Sequence, residues 1–239
     1  MNPATANNRT NFILIRLPVL TISIFFICFI IASLAYPGSS IEHLNFETDK
    51  YSITHNFLSD LGRLSTTTGV PNTTSAILFN GSLVLVGLTL ILFYRGFHNV
   101  FVTHKDSAKS IQFSRYAKPV GLIAGILFAG VGIIPLDLHF GLHVFCANYA
   151  FLTLFVLSVL HSLTVFYSKK LSNHYAIGYM IFCVVLLFFL YLVFFGPRIT
   201  PGTSFSEADL MLQVISQKSI VLTLIVSLLA QVYGLKRLT

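Results

Sequence analysis

Six long apolar runs, separated by short polar or turn-rich segments, set the pattern of this chain. They lie at 12–36, 73–94, 116–135, 140–167, 175–195 and 207–235. Each reaches or exceeds the roughly 18 residues that read as a membrane-spanning helix. Pro37 with Gly38, Pro71, Pro135 and Gly196 with Pro197 punctuate the ends. The pattern predicts an all-α fold, a multi-pass bundle of six transmembrane helices forming a single domain over 1–239. The first run is too long for the apolar core of a signal peptide and has no clear small-residue cleavage site, so it reads as the first span.

Two connections carry structure of their own. Loop 1 runs from about 37 to 72. Within it Phe57, Leu58, Leu61 and Leu64 fall on one helical face, and His55, Asn56, Ser59, Asp60 and Arg63 on another. That split predicts a short amphipathic helix over about 53–64, lying at the membrane interface. Loop 5 is rich in Pro, Gly and Thr. Ser204 and Glu207 then form a capping-box pattern that starts the last helix.

Composition agrees with the membrane class: 55% of residues are hydrophobic and 10% charged. The three cysteines, Cys28, Cys146 and Cys183, fall inside apolar runs and match no metal or disulfide spacing. The net charge of +7 does not point to nucleic acid, because the basic residues sit in short loops. Arg9, Arg16, Arg95, Lys105, Lys109, Arg115, Lys118, Lys169, Lys170, Lys236 and Arg237 share one side with a single acid, Asp106. Lys50, Arg63 and Arg198 share the other with Glu42, Glu47, Asp49, Asp60, Asp137, Glu207 and Asp209. The positive-inside rule then places both termini in the cytoplasm and loops 1, 3 and 5 outside, with the cell membrane as the expected location.

Polar residues that survive beside or within spans are candidates for function, since they are costly in hydrocarbon. Asp137, His139 and His143 lie between the third and fourth runs. Loop 1 adds His55, Asn56, Ser59 and Asp60, the second span adds Asn80, and the last adds Gln213, Gln217 and Lys218. All belong to the same half of the membrane, which predicts a polar cavity there. Lys218 is expected to pair with Asp60 or Asp137, with Asp60 favoured. His139 and His143 are four apart, so on a helix they share a face and could hold one metal ion, zinc by their chemistry, with His55 as a third ligand. His161 in the fourth span reads as a core histidine. Gly121, Gly125, Gly130 and Gly132 read as helix-packing positions.

Five segments in order resemble domain-of-unknown-function family 998. Tyr51 through Leu58, Ser59, Asp60, Leu61 and Gly62 is similar to that family's tyrosine-to-Ser-Asp-Leu-Gly element after the first span. Phe79, Asn80 and Gly81 resemble its start of span two, and Gly132 to Asp137 its Gly-x-Phe-Pro-x-Asp element, with Ile134 where Phe is usual. His143 and the Gln217–Lys218 pair complete the resemblance. It implies a six-helix integral membrane protein whose shared residues here would be Ser59, Asp60, Gly62, Asn80, Pro135, Asp137, His143 and Gln217. It implies no reaction.

Three functions remain open on the sequence. The cavity could bind or transport a small ligand or a lipid headgroup. It could be a metal-dependent hydrolase of lipid amides or esters, with zinc as its cofactor. Or the cluster could fix helix packing in a structural or regulatory membrane protein. The lipid bilayer is the expected partner in each case. The topology has a direct test: single cysteines placed at Asp137 and at Lys105 should react with an impermeant reagent from opposite sides of a sealed vesicle, and labelling from one side would break the six-span arrangement.

Overall fold

The computed structural model describes residues 8–200, 202–236 and 238. Arg237, counted above among the basic residues, and Pro201 of loop 5 lie outside them. Six helices follow one another: α1 (Leu17–Ala35), α2 (Thr73–Thr103), α3 (Ala108–Ile133), α4 (Phe140–Phe166), α5 (His174–Phe195) and α6 (Glu207–Leu235). All six are long and apolar enough to cross a membrane, the first counted from Asn8. Phe12–Arg16 form a π-helical turn ahead of α1, where Pro18 has no N–H to offer the carbonyl four residues back.

Each helix packs chiefly on the ones before and after it in sequence, and α1 meets α6 along a light seam that closes the ring. The outward faces are apolar. On α1, Leu20, Ile24, Ile27, Ile31 and Leu34 are exposed at intervals of three and four, a stripe suited to lipid. Small polar side chains point inward and clip neighbours together. Thr21 and Thr89 hydroxyls meet at 2.7 Å between α1 and α2, Ser110 donates to the Thr164 carbonyl at 2.9 Å, and Ser227 donates to the Gly178 carbonyl at 2.9 Å. Such bonds contribute on the order of 0.6 kcal/mol each in a bilayer.

Two apolar clusters fill the bundle. One, at the end where the first and last described residues lie, contains Leu14, Phe93, Phe97, Phe101, Tyr179, Phe182 and Leu235. His161 is fully buried in it, stacked between Phe97 at 4.4 Å and Tyr179 at 3.8 Å and bonded to the Tyr94 hydroxyl at 3.2 Å. It is a core histidine, as read from the sequence. The other cluster, at the opposite end, joins Phe25, Ala32, Tyr36, Tyr51, Leu58, Leu61, Phe79 and Val131. We call these the terminal end and the loop end.

The boundaries moved where polar residues border a span. α2 runs to Thr103 instead of 94, and α3 begins at Ala108 instead of 116. Basic residues at helix ends can reach the interface from within a helix, so a charge does not mark its end. Asp106, the acid among the bases, is buried in the tight turn between them and accepts hydrogen bonds from the Ser107 and Lys169 amides, both at 2.7 Å, tying the α2–α3 turn to the α4–α5 turn. At the start of α6 the cap is Ser206, which accepts from the Asp209 amide at 3.1 Å; Ser204 and Glu207 do not form the capping box read from the sequence.

Loop 1 also differs from its expected form. A small hairpin of β1 (Ser39–Ile41) and β2 (Phe46–Thr48) opens it. The amphipathic helix expected over 53–64 is absent. In its place stands a 3-10 helix, Leu58–Gly62, whose Leu58, Asp60, Leu61 and Gly62 are buried on the end of the bundle. Five residues are too few to turn a helical face to an interface; this segment plugs the bundle.

Glycines bring α2 and α3 into close approach. A Cβ on Gly125 would stand 2.5 Å from the Gly87 carbonyl oxygen, and one on Gly132 2.5 Å from that of Asn80. Gly125→Val should therefore lower stability by about 1–3 kcal/mol, the usual cost of overpacking. Gly81→Ala, with nothing within 4 Å of the added carbon, should leave it unchanged or slightly raised. Thermal unfolding in one detergent checks the contrast; equal losses would refute the close contact.

Candidate functional site

At the loop end the six helices do not fill the ring. A cavity of about 440 Å³ lies there, within the roughly 300–1,000 Å³ usual for small-molecule sites. Its walls are mostly apolar, including Phe25, Phe79, Leu83, Phe128, Phe151 and Phe189. The polar lining is confined to Ser59, His143, Asn148, Arg198, Thr200, Gln213 and Gln217. A smaller apolar cavity of about 110 Å³ adjoins it on the side of the terminal end, bounded by residues that include Thr21, Thr89, Phe93, Tyr94 and Tyr179. Phe25, Leu83, Phe128, Leu154, Val221 and Leu224 line both.

The residues singled out from the sequence divide into two groups. Ser59, His143, Gln213 and Gln217 line the cavity; His55, Asn56, Asp60, Asn80, Asp137, His139 and Lys218 do not. All of the second group but His139 anchor loop 1. Asp60 accepts from the Phe57 amide at 2.8 Å and from Arg63 Nε at 2.9 Å. Asn80 donates to the Gly62 carbonyl at 2.9 Å, and a Cβ on Gly62 would strike the Asn80 side chain at 2.2 Å. Asp137 accepts from the Leu64 and Ser65 amides at 3.0 and 2.9 Å. Asn56 accepts from the Ser52 amide and donates to Ser39, both at 2.9 Å.

Lys218 does not pair with Asp60 or Asp137. Its Nζ donates to the Asn56 carbonyl at 2.6 Å and lies 5.4 Å from the Tyr51 ring centre. The acid closest to it by topology, Asp60, already caps its own 3-10 helix and binds Arg63, so the cation is held by a carbonyl and an aromatic face instead. Tyr51 donates to the same carbonyl at 3.2 Å. Burial and then the Asp60 carboxylate push its phenol above its ordinary value, so it remains a donor.

The three-histidine metal site is not formed. His139 is the N-cap of α4, with φ −150° and ψ 83°, so the i, i+4 rule that assumed helix at both positions fails. It is exposed, and its Nδ1 accepts from the Leu142 amide at 3.1 Å. His143 is buried, and its Nδ1 lies 2.6 Å from the Ile134 carbonyl. His55 stacks on Phe46 at 4.1 Å and meets Glu207 at 3.0 Å. Among the described residues no three His, Cys, Asp or Glu side chains are placed to share an ion.

The cavity-lining groups keep functional atoms in reserve. A carbonyl only accepts, so His143 Nδ1 carries the proton toward Ile134 and Nε2 is left as an acceptor. Gln217 Oε1 accepts from the Leu58 amide at 2.9 Å, which leaves Nε2 as a donor. Gln213 Nε2 donates to the Pro197 carbonyl at 2.7 Å and holds loop 5 against α6. Arg198, Asn148 and Thr200 were missed in the sequence. Arg198 was legible as a lone cation in loop 5; Asn148 sits five residues after His143 in an otherwise apolar stretch. Thr200 gives no sequence signal.

Comparisons of the chain with family models, with curated proteins and with solved structures give no match.

Gln217 joins the plug to the cavity, and its two roles can be separated. Gln217→Leu leaves the part-buried Leu58 amide without an acceptor, which should cost about 1–3 kcal/mol and abolish hydrogen-exchange protection at Leu58. Gln217→Glu keeps the acceptor and should keep that protection. Unchanged protection in the leucine variant would show that the contact does not hold the plug.

Proposed function

We propose that this chain is an integral membrane protein that binds an amphiphilic ligand, lipid or lipid-like, in the cavity at its loop end. The observation that carries the reading is the graded lining of two adjoining cavities that share six wall residues: polar groups gather at the loop end, and apolar walls run from there into the bundle. A wholly polar solute would leave the deep wall unmatched, and a pure hydrocarbon would bury donors and acceptors without partners. An amphiphile satisfies both ends. By the charge distribution along the chain, loops 1, 3 and 5 face outside the cell membrane and the head of the ligand sits in the outer half of the bilayer.

Membership of domain-of-unknown-function family 998 is part of the same proposal. It is supported by a common task for the motif residues: Asp60, Gly62, Asn80, Asp137 and Gln217 all secure loop 1, while Ser59 and His143 face the cavity beneath it.

The test uses purified protein in phosphatidylcholine nanodiscs, titrated with three twelve-carbon amphiphiles: dodecyl phosphate, dodecanol and dodecyltrimethylammonium. At least one should raise the melting temperature by several degrees, since a ligand at about 100 times its Kd contributes about 2.7 kcal/mol. Ala147→Trp, which fills the cavity from a half-buried lining position, should remove the shift. Because the chain has no tryptophan of its own, that variant also carries its own fluorescent probe for whether the indole is enclosed. No shift with any of the three amphiphiles, or shifts equal in wild type and variant, would overturn the reading.

A further inference from the structure

The cavity has a charge sign. No carboxylate lines it, and Arg198 is the one Lys or Arg among its lining residues. Four acids of the elements around this end are committed elsewhere. Glu207 meets His55 at 3.0 Å, Asp209 accepts from the Ser206 hydroxyl at 2.6 Å, Asp60 holds Arg63 at 2.9 Å, and Asp137 accepts two loop 1 amides. The Arg198 guanidinium makes no ion pair or hydrogen bond with the described residues. Beside it stand further donors: the free Nε2 of Gln217, the Ser59 hydroxyl, the Asn148 amide and the Thr200 hydroxyl.

The deep arm has no such groups to offer. Its threonine hydroxyls, Thr21 and Thr89, satisfy one another at 2.7 Å, the Tyr94 hydroxyl bonds His161 at 3.2 Å, and apart from the Tyr179 hydroxyl the rest of its wall is aliphatic or aromatic. From Gln213, at the polar end, to Leu228, at the far end of the arm, α6 advances 15 residues, roughly 22 Å at about 1.5 Å per residue. The arm, about 110 Å³, has a quarter of the volume of the cavity above it, which favours a single slender tail.

We propose that the ligand is a single-chain amphiphile with an anionic head, a long-chain phosphate or carboxylate, seated with its head against Arg198 and its tail along α6 into the deep arm. This rests on the amphiphile-binding reading and narrows it. A guanidinium with an open fork is matched to phosphate and carboxylate oxygens, which it binds bidentately. A cationic head would face Arg198 with no acid to offset it.

The experiment compares dissociation constants in phosphatidylcholine nanodiscs for dodecyl phosphate, dodecanoate, dodecanol and dodecyltrimethylammonium. The two anions should bind at least about tenfold more tightly than the alcohol, the discrimination that one charge-assisted hydrogen bond supplies, and the cation most weakly. Whichever anion binds more tightly identifies a phosphate or a carboxylate head. Arg198→Gln, in an exposed loop position, should weaken the anions about tenfold and leave dodecanol unchanged. Val221→Phe, at the junction of the two cavities, should shorten the preferred tail, so that hexadecyl phosphate loses its advantage over octyl phosphate while the preference for an anion persists. Equal affinity for alcohol and anion, or a preference that survives Arg198→Gln, would overturn the anionic head with amphiphile binding intact. An unchanged tail preference in Val221→Phe would overturn the placement of the tail. Failure of all four probes to bind would instead remove the amphiphile reading itself.

Discussion

The backbone of loop 1 is laid across the end of a helical bundle, and its buried peptide groups must find partners there. That requirement organises the loop end. A buried N–H or C=O without a partner costs about as much as a lost hydrogen bond, and a 3-10 turn of five residues cannot satisfy its own ends. The partners come from the helices. Ser75 donates to the Leu61 carbonyl at 2.9 Å, Asn72 to those of Leu61 and Arg63, Asn80 to that of Gly62, and Lys218 to that of Asn56. Gln217 and Asp137 accept from the amides of Leu58, Leu64 and Ser65. Most polar side chains of this end are explained by that one obligation.

With the loop so fixed, the cavity is bounded from above by the plug and from the side by consecutive helices. The α2–α3 pair is drawn close by its glycines, whereas α1 and α6 touch only lightly. The ring is therefore tight on one side and loose on the other. The loose seam includes Phe25 on α1 and Val221 and Leu224 on α6, which line both cavities. A lateral route from lipid into the cavity would pass there with the least disturbance of packed contacts.

The six helices were legible because a bilayer demands long apolar segments and the chain supplies them with little ambiguity. The polar cluster was legible as a cluster: sorting the charges put His55, Asp60, Asp137, His143 and Lys218 at one end, and they are there. Their pairings were not legible. Asp60 and Lys218 looked like partners because opposite charges were counted and backbone groups were not, yet Lys218 takes the Asn56 carbonyl while Asp60 takes the Phe57 amide and the adjacent Arg63. His139 and His143 looked like a ligand pair because the helix was assumed to include His139, where it has only begun. The cavity itself came from the packing of distant apolar side chains, which no local pattern records.

The aromatic plug at the terminal end has a kinetic meaning. Phe93, Phe97, Phe101 and Phe182 are buried to 2% exposure or less, with His161 locked among them. The space between the helices ends on that plug: it is a blind alley and not a conduit. A molecule that enters by the loop end or the α1–α6 seam departs by the route it came. A ligand of the proposed kind would exchange through the loop end and the α1–α6 seam, and in this conformation would not cross to the terminal end. Passage to the other side would demand that α2 and α4 part and pull the stacked rings around His161 open, a rearrangement on the scale of the bundle and not of a side chain.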